Sequence, residues 1–351
     1  MNSGVISWRV TTLCAGLLVA SFTRAQTLSP ALLILEKSDN SLAIADPASS
    51  RIVARLPAGE DPHEIVASPD GKLAYISNYG GLDSTLNTIS VIDLAARKAL
   101  PAIHLGALRS PHGLAFFRGK LYFTAETSKV VGRYDPATQS IDWIFGIGQD
   151  RTHMVALSEN PDRVVTSNVN SGTISIIEQV SPPDGGAGSP PGAPRKTWRL
   201  TNVPSGHGSE GFDISPDGKE IWAANAQDGT VTIIDASAKK AAQTLPIPIT
   251  RANRLKFTPD GKWVLVAGLG GGATSEGANL VVLDVATRKE VKQFNLGGGS
   301  AGILIVPDGS RAYVAVSAKD KVAILDLKSL AITGQIPTGK QPDGLAWAQR
   351  N

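Results

Sequence analysis

A short phrase, Ser/Thr-Pro-Asp-Gly-Lys, recurs along the chain and constrains its fold more than any other feature. It stands as Ser68-Pro69-Asp70-Gly71-Lys72, Ser215-Pro216-Asp217-Gly218-Lys219 and Thr258-Pro259-Asp260-Gly261-Lys262. A near copy is Val306-Pro307-Asp308-Gly309, and degenerate copies are Phe117-Arg118-Gly119-Lys120 and Asn160-Pro161-Asp162-Arg163. A second anchor is an acidic residue closing an apolar run: Asp46, Asp93, Asp135, Glu178, Asp235, Asp284 and Asp326, at successive spacings of 47, 42, 43, 57, 49 and 42 residues. Pro presets φ and Gly tolerates positive φ, so the phrase is turn chemistry between β-branched, alternating runs. Seven units of roughly 40–50 residues, each with four short strands, predict an all-β fold, a seven-bladed β-propeller.

In one unit the strands are expected at 63–68, 73–78, 88–93 and 102–105. The first run of the domain, residues 31–36, aligns with the second strand of a unit, and the last, 342–348, aligns with the first. The C-terminal strand should therefore complete the blade begun by the N-terminus, which removes two free sheet edges. Two long units are explained by loops, a Pro/Gly-rich insert at 181–195 and a Gly-rich one at 268–278.

Residues 10–21 form a twelve-residue apolar run, too short for a bilayer, which takes ~20 residues. Thr23 and Ala25 place small residues at −3 and −1 of a cleavage site. Residues 1–25 thus read as a secretory signal peptide and 26–351 as one propeller domain, periplasmic or secreted. The only Cys of the chain, Cys14, lies in the signal. That excludes a disulfide framework, a thiolate zinc site and covalent haem attachment within the mature chain. The Gly runs at 270–272 and 297–299 are not followed by Lys-Ser/Thr or a helix, which argues against a bound nucleotide. With 34 basic and 31 acidic residues, bulk electrostatics argue against nucleic acid as a partner. No later stretch reaches transmembrane length, and a monomer is expected. Trp198, Trp222, Trp263 and Trp347 read as blade-packing residues, and His104 as an outer-strand residue.

In a propeller the innermost strand of each blade lines the axis, so residues at its start converge. That position is His63, His112, His153, Glu210, Asn253, Ala301 and Asp343 in the seven units. The end of the second strand returns to the same face and supplies Glu36, Asn78, Glu126, Asn168, Asn225, Gly268 and Ser317. His207 lies in the same turn as Glu210, Glu64 follows His63, and Arg251 and Arg254 flank Asn253. Four of the five histidines therefore occupy equivalent turns, where duplication of a turn-compatible residue competes with convergence on one pocket. Imidazole with carboxylate and amide oxygen suits a divalent cation whose identity the mixed set leaves open. The rival is a polar cup for a small ligand with an Arg holding an anionic group. An exposed polar rim is expected for these residues.

The repeat, spDGk followed by a strand ending in Asn and a later acidic stop, resembles the YVTN-repeat β-propeller family over residues 31–348. The resemblance implies an extracytoplasmic binding protein whose partner is a small molecule or another extracytoplasmic protein. Pro111-His112-Gly113-Leu114 followed by Tyr122-Phe123-Thr124-Ala125-Glu126 resembles the PHG…WFTE pattern of streptogramin (virginiamycin B) lyases, with an extra Ala before the Glu. That likeness implies His112 as a candidate general base and Glu126 as a metal ligand, with Glu210 and Glu36 as further candidate ligands. The expected ligand-binding set is His63, His153, His207, Asn78, Asn168, Asn225, Arg251, Arg254 and Asp343. A metal-dependent lyase or lactone hydrolase using the same pocket is the alternative to a binding role, and the sugar-lactonase propellers share the residue types of Glu36, Asn168, Asn225 and Asp343.

Overall fold

A computed structural model of the protein describes Met1 and residues 30–81, 83–158, 162–181, 196–270 and 277–349. Seven antiparallel sheets of four strands lie within them, arranged as a seven-bladed β-propeller. The innermost strands are Pro342–Ala348 in blade 1, Pro62–Ala67 in blade 2 and Pro111–Phe117 in blade 3. They continue as Thr152–Ser158, Ser209–Ile214, Ala252–Phe257 and Ile303–Ile305 in blades 4 to 7. Blade 1 is composite: the C-terminal Pro342–Ala348 pairs with Ala31–Glu36, in register from Ala31 with Ala348 to Ile34 with Leu345. The expected strands of blade 2 appear at Leu73–Asn78 and Thr88–Asp93, while its outer strand, Lys98–His104, starts earlier than the sequence pattern suggested. Residues 2–29, on which the expected signal peptide falls, 182–195 of the Pro/Gly-rich insert and 271–276 of the Gly-rich loop lie outside the described residues.

Local chemistry explains the blade outline. In each Pro-Asp-Gly turn the Gly amide donates to the carbonyl three residues back, as from Gly71 to Ser68 and from Gly218 to Ser215, both at 2.8 Å. These glycines adopt φ near +64° and +70°, a region costly for a side chain with a Cβ. In six blades the acidic residue closing the third strand accepts the next turn's amides, Asp93 Oδ1 taking those of Ala95 and Ala96 at 2.9 and 2.8 Å, whereas Glu178 pairs with Arg163 and Lys239. Both anchors of the repeat are therefore hairpin locks.

Blades stack face to face, so middle strands are apolar on both sides: Leu32, Leu33, Ile34 and Leu35 are all fully buried. The outermost strands alternate in exposure, as in Arg51–Pro57. Trp222, Trp263, Trp347 and Trp198 all pack in the clusters between blades. Around the axis the inner strands come closer than side chains allow. A Cβ on Gly113 would lie 2.6 Å from the His153 carbonyl oxygen, and one on Gly344 would lie 2.5 Å from that of His63. The Thr124 hydroxyl stitches blade 3 to blade 4, accepting from the Gly113 amide at 2.8 Å and donating to the His153 carbonyl at 2.5 Å. Ser167 repeats the device toward Glu210. No helix among the described residues is long and apolar enough to cross a membrane.

Candidate functional site

The starts of the innermost strands converge because each is paired in the same way. The residue before the axial one stands opposite the end of the second strand: Pro62 with Asn78, Pro111 with Ala125, Thr152 with Asn168, Ser209 with Asn225, Ala252 with Gly268 and Pro342 with Glu36. This register puts His63, His112, His153, Glu210, Asn253 and Asp343 at one level. With Lys37, Arg151, Arg251, Arg254 and Ala301 they line an axial cavity of about 320 Å³.

The same register corrects the alignment of Glu126. Ala125, not Glu126, is the equivalent of Asn78, so Glu126 stands one residue further on, level with Tyr79 and Lys37. Successive strand residues face opposite ways, and the two positions do different work. Asn78 Nδ2 donates to Thr88 and Ser90 of the third strand at 2.8 and 3.0 Å. Asn168 does so to Thr173 and Ser175, and Asn225 to Thr230 and Thr232. These asparagines are blade latches and do not line the axial cavity. Glu36 shares their position: it accepts from Ser41, Arg55 and the Gly339 amide, which leaves the proposed metal ligand committed within blade 1. His207 is also not brought in; its side chain is 82% exposed and bonded to Asp228 at 3.0 Å. His104 is exposed at the outer edge of blade 2.

What converges is a buried charge network, not the exposed rim that the sequence suggested. His112 and His153 are each 1% exposed, and their rings pack together, tilted by 33°, with centroids 3.7 Å apart. His63 lies 5.1 Å from His112, and the Tyr79 ring packs edge-on against both. Glu126 bonds His153 Nδ1, accepts from the Tyr79 hydroxyl at 2.5 Å and has Arg151 Nε at 3.5 Å. His153 Nε2 lies 3.5 Å from Glu210, and Glu210 lies 3.8 Å from Arg254. Across the axis Arg254 bonds Glu64 at 2.5 Å, and Lys37 lies 3.6 Å from Asp343. The roles of Tyr79, Arg151 and Lys37 were missed in the sequence. A signal existed: they occupy repeat positions one or two residues from those aligned.

Burial pushes the His153 imidazole down, but Glu126 and Glu210 outweigh it and hold the ring above its ordinary value. Burial pushes Glu210 up, yet hydrogen bonding to His153 and the charges of His153, Arg254 and Arg151 bring it to about 2. Glu126 is likewise lowered, its burial outweighed by His153, Tyr79 and Arg151. His112 is the opposite case: burial first, then the charges of His153 and His63, hold it well below its ordinary value, and it is neutral at pH 7. Burial also lowers His63.

These shifts predict a stability maximum in metal-free protein. His153, raised on folding, contributes fully below pH 6.5 and loses that contribution as pH rises through its raised value. His112 and His63, lowered on folding, cost stability as pH falls below 6.5, because the unfolded chain takes protons that the fold refuses. Each costs up to ~1.4 kcal/mol per pH unit. Melting temperature should peak just above pH 6.5, and His112→Gln should flatten the acid limb. A flat wild-type profile between pH 5 and 6.5 would contradict the buried network.

One feature of the network is incomplete. Among the described residues His112 Nδ1 is buried without a hydrogen-bond partner, and His153 Nε2 has only the Glu210 carboxylate, at 3.5 Å. An unmade buried hydrogen bond costs ~1–3 kcal/mol, so such atoms call for a missing partner. Donor atoms of His112, Glu126 and His153 all lie within 4.8 Å of one another. Two imidazoles and a carboxylate fit a first-row divalent metal, zinc, iron, copper or nickel, better than calcium or magnesium.

No protein-family model matches the chain, and no curated protein is significantly similar to it in sequence. Solved structures share its fold. Hydrazine synthase from Kuenenia stuttgartiensis is similar over 81% of this chain and 89% of its own, at 19% identity and a TM-score of 0.65. A functionally unknown protein from Desulfotomaculum acetoxidans is similar over 92% and 99%, at 12% identity and a TM-score of 0.70. A candidate 6-phosphogluconolactonase from Bacteroides fragilis is similar over 92% and 99%, at 14% identity and a TM-score of 0.66. At these identities the likeness is one of fold.

Proposed function

We propose that the chain is an extracytoplasmic propeller of the YVTN-repeat type that binds a small molecule in its axial cavity, where His112, Glu126 and His153 hold a divalent transition metal. The observation that carries this reading is the buried cluster of two imidazoles and a carboxylate, with donor atoms within 4.8 Å of one another and His112 Nδ1 without a partner among the described residues. In metal-free protein His153 is paired with Glu126 as a cation. Metal binding replaces that proton, so affinity falls as pH drops through the raised His153 value. The metal supplies an electrophilic centre when bound. Arg254 and Glu210 orient what meets it, and the latched blades keep the cavity shape.

The test is calorimetric titration of zinc or nickel into chelator-treated protein purified from the periplasmic or secreted fraction. One site should appear, releasing protons. His112→Ala and His153→Gln should each weaken it at least 100-fold, and His104→Ala should leave it unchanged. Equal behaviour of His112→Ala and His104→Ala would refute a metal centre here.

An enzymatic reading, a metal-dependent lyase or lactone hydrolase, is favoured by one observation. His112 is neutral and lines the cavity with Nδ1 uncommitted, the state a general base requires. Turnover of cyclic esters that disappears in His112→Gln while metal binding persists would favour this role over ligation.

A further inference from the structure

A groove of about 850 Å³ opens over blade 5, lined by Arg151, Gly208, Glu210, Ala226, Ile249 and Arg251 among others. Arg151, Glu210 and Arg251 also line the axial cavity, so the two spaces adjoin. The groove is made by subtraction. One backbone hydrogen bond recurs in six blades and defines two equivalent positions: Tyr79 to Asp61, Glu126 to Ser110, Val169 to Arg151, Ala226 to Gly208, Leu269 to Arg251 and Lys37 to Gln341. Blade 5 carries the smallest pair, Ala226 and Gly208. Its neighbours on either side carry Arg151 and Arg251 at the position where blade 5 has glycine.

All six residues at that second position have positive φ, +57° for Arg151, +53° for Arg251 and +74° for Gly208. Arg has no conformational reason to be there. The acidic groups nearby are committed: Glu210 to His153 and Arg254, Asp228 to the His207 amide and ring, and Glu126 to His153 and Tyr79. Arg251 is exposed and its side chain makes no hydrogen bond or ion pair among the described residues, and Arg151 Nε has no hydrogen-bond partner there, its nearest carboxylate, Glu126, standing 3.5 Å away. Ile247, Pro248 and Ile249 give the groove an apolar wall.

We propose that this groove is where the ligand of the axial cavity is received, and that the ligand is an organic carboxylate: its anionic group sits between Arg151 and Arg251 and its apolar body lies along Ile247 and Ile249. The inference rests on the reading of the axial cavity as a small-molecule site, but not on the metal. Guanidinium groups select planar anions by charge-assisted hydrogen bonds, and the space beside Ala226, where the neighbouring blades carry Val169 and Leu269, admits the body.

The test compares phenylacetate with its neutral isostere phenylacetamide, by calorimetry on the full mature protein, with and without zinc. Phenylacetate should bind at one site at least tenfold more tightly than the amide, with or without metal. Arg251→Gln should remove that preference, and Ala226→Leu, which installs the blade 6 residue, should block both probes. No saturable phenylacetate binding, equal affinity of acid and amide, or a preference that survives Arg251→Gln would each overturn the proposal. Arg251→Gln should keep wild-type zinc affinity, so a failed probe beside intact zinc binding refutes this inference alone. Loss of zinc binding beside an intact acid preference refutes the metal reading alone.

Discussion

Removal of residues 342–351 should leave a protein that is insoluble or melts at least about 20 °C below the full chain. The strand Pro342–Ala348 is the innermost of blade 1, yet it pairs with the first strand of the domain, Ala31–Glu36. Its loss opens the ring at the one joint made by chain ends distant in sequence. Ala346 and Ala348 are buried in the cluster that holds Leu33 and Leu35, and Trp347 stacks on Tyr313 with centroids 6.3 Å apart. Burial of a large apolar side chain contributes ~1.5–3 kcal/mol, against a typical domain stability of ~5–15 kcal/mol. The backbone bond from the Lys37 amide to the Gln341 carbonyl, and the bond from the Gly339 amide to the Glu36 carboxylate, would be lost or left without support. Truncation also takes Asp343 from the axial ring. Thermal unfolding by circular dichroism checks this, and an unchanged melting temperature would disprove closure by the composite blade.

Glu126→Ala should be the most damaging single substitution at the axis, destabilising by about 3–5 kcal/mol at pH 7. The carboxylate is fully buried and serves three groups, His153, Tyr79 and Arg151. Removing it strands a buried imidazolium, and breaking one partner of a buried pair costs ~3–5 kcal/mol. His153, no longer held up by Glu126, should then lose its proton, so the alkaline fall in stability should vanish as well. His104→Ala, at an exposed outer edge, should stay within ~0.5 kcal/mol. Chemical denaturation of both variants at pH 7 and pH 9 separates the two effects. A Glu126→Ala protein as stable as His104→Ala would show that the network carries no charge coupling.

Much of this molecule is legible in its sequence because a propeller is built from local signals repeated. The Pro-Asp-Gly turn and the acidic stop act over two to five residues, and each is satisfied by hydrogen bonds within its own hairpin. Alternation then sets strand length, and the mismatch of the first and last strands sets closure. The identity of the axial ring follows from the same repetition, because equivalent positions must converge on an axis.

The tertiary structure decided what the repeat could not. A strand has a period of two, so an offset of one residue reverses a side chain; the extra Ala125 moved Glu126 from the latch position of Asn78 to the axial position of Tyr79. Burial was not local either. His112 reads as a rim residue until six other blades close around it. The partners that set the charges are far apart in the chain, as with Arg254 and Glu64, which are 190 residues apart. The groove over blade 5 is a property of absence, two small residues between two arginines, and it has meaning only once blades 4, 5 and 6 stand side by side. Turns and strands answer to neighbours in sequence, whereas direction, burial and charge answer to neighbours in space.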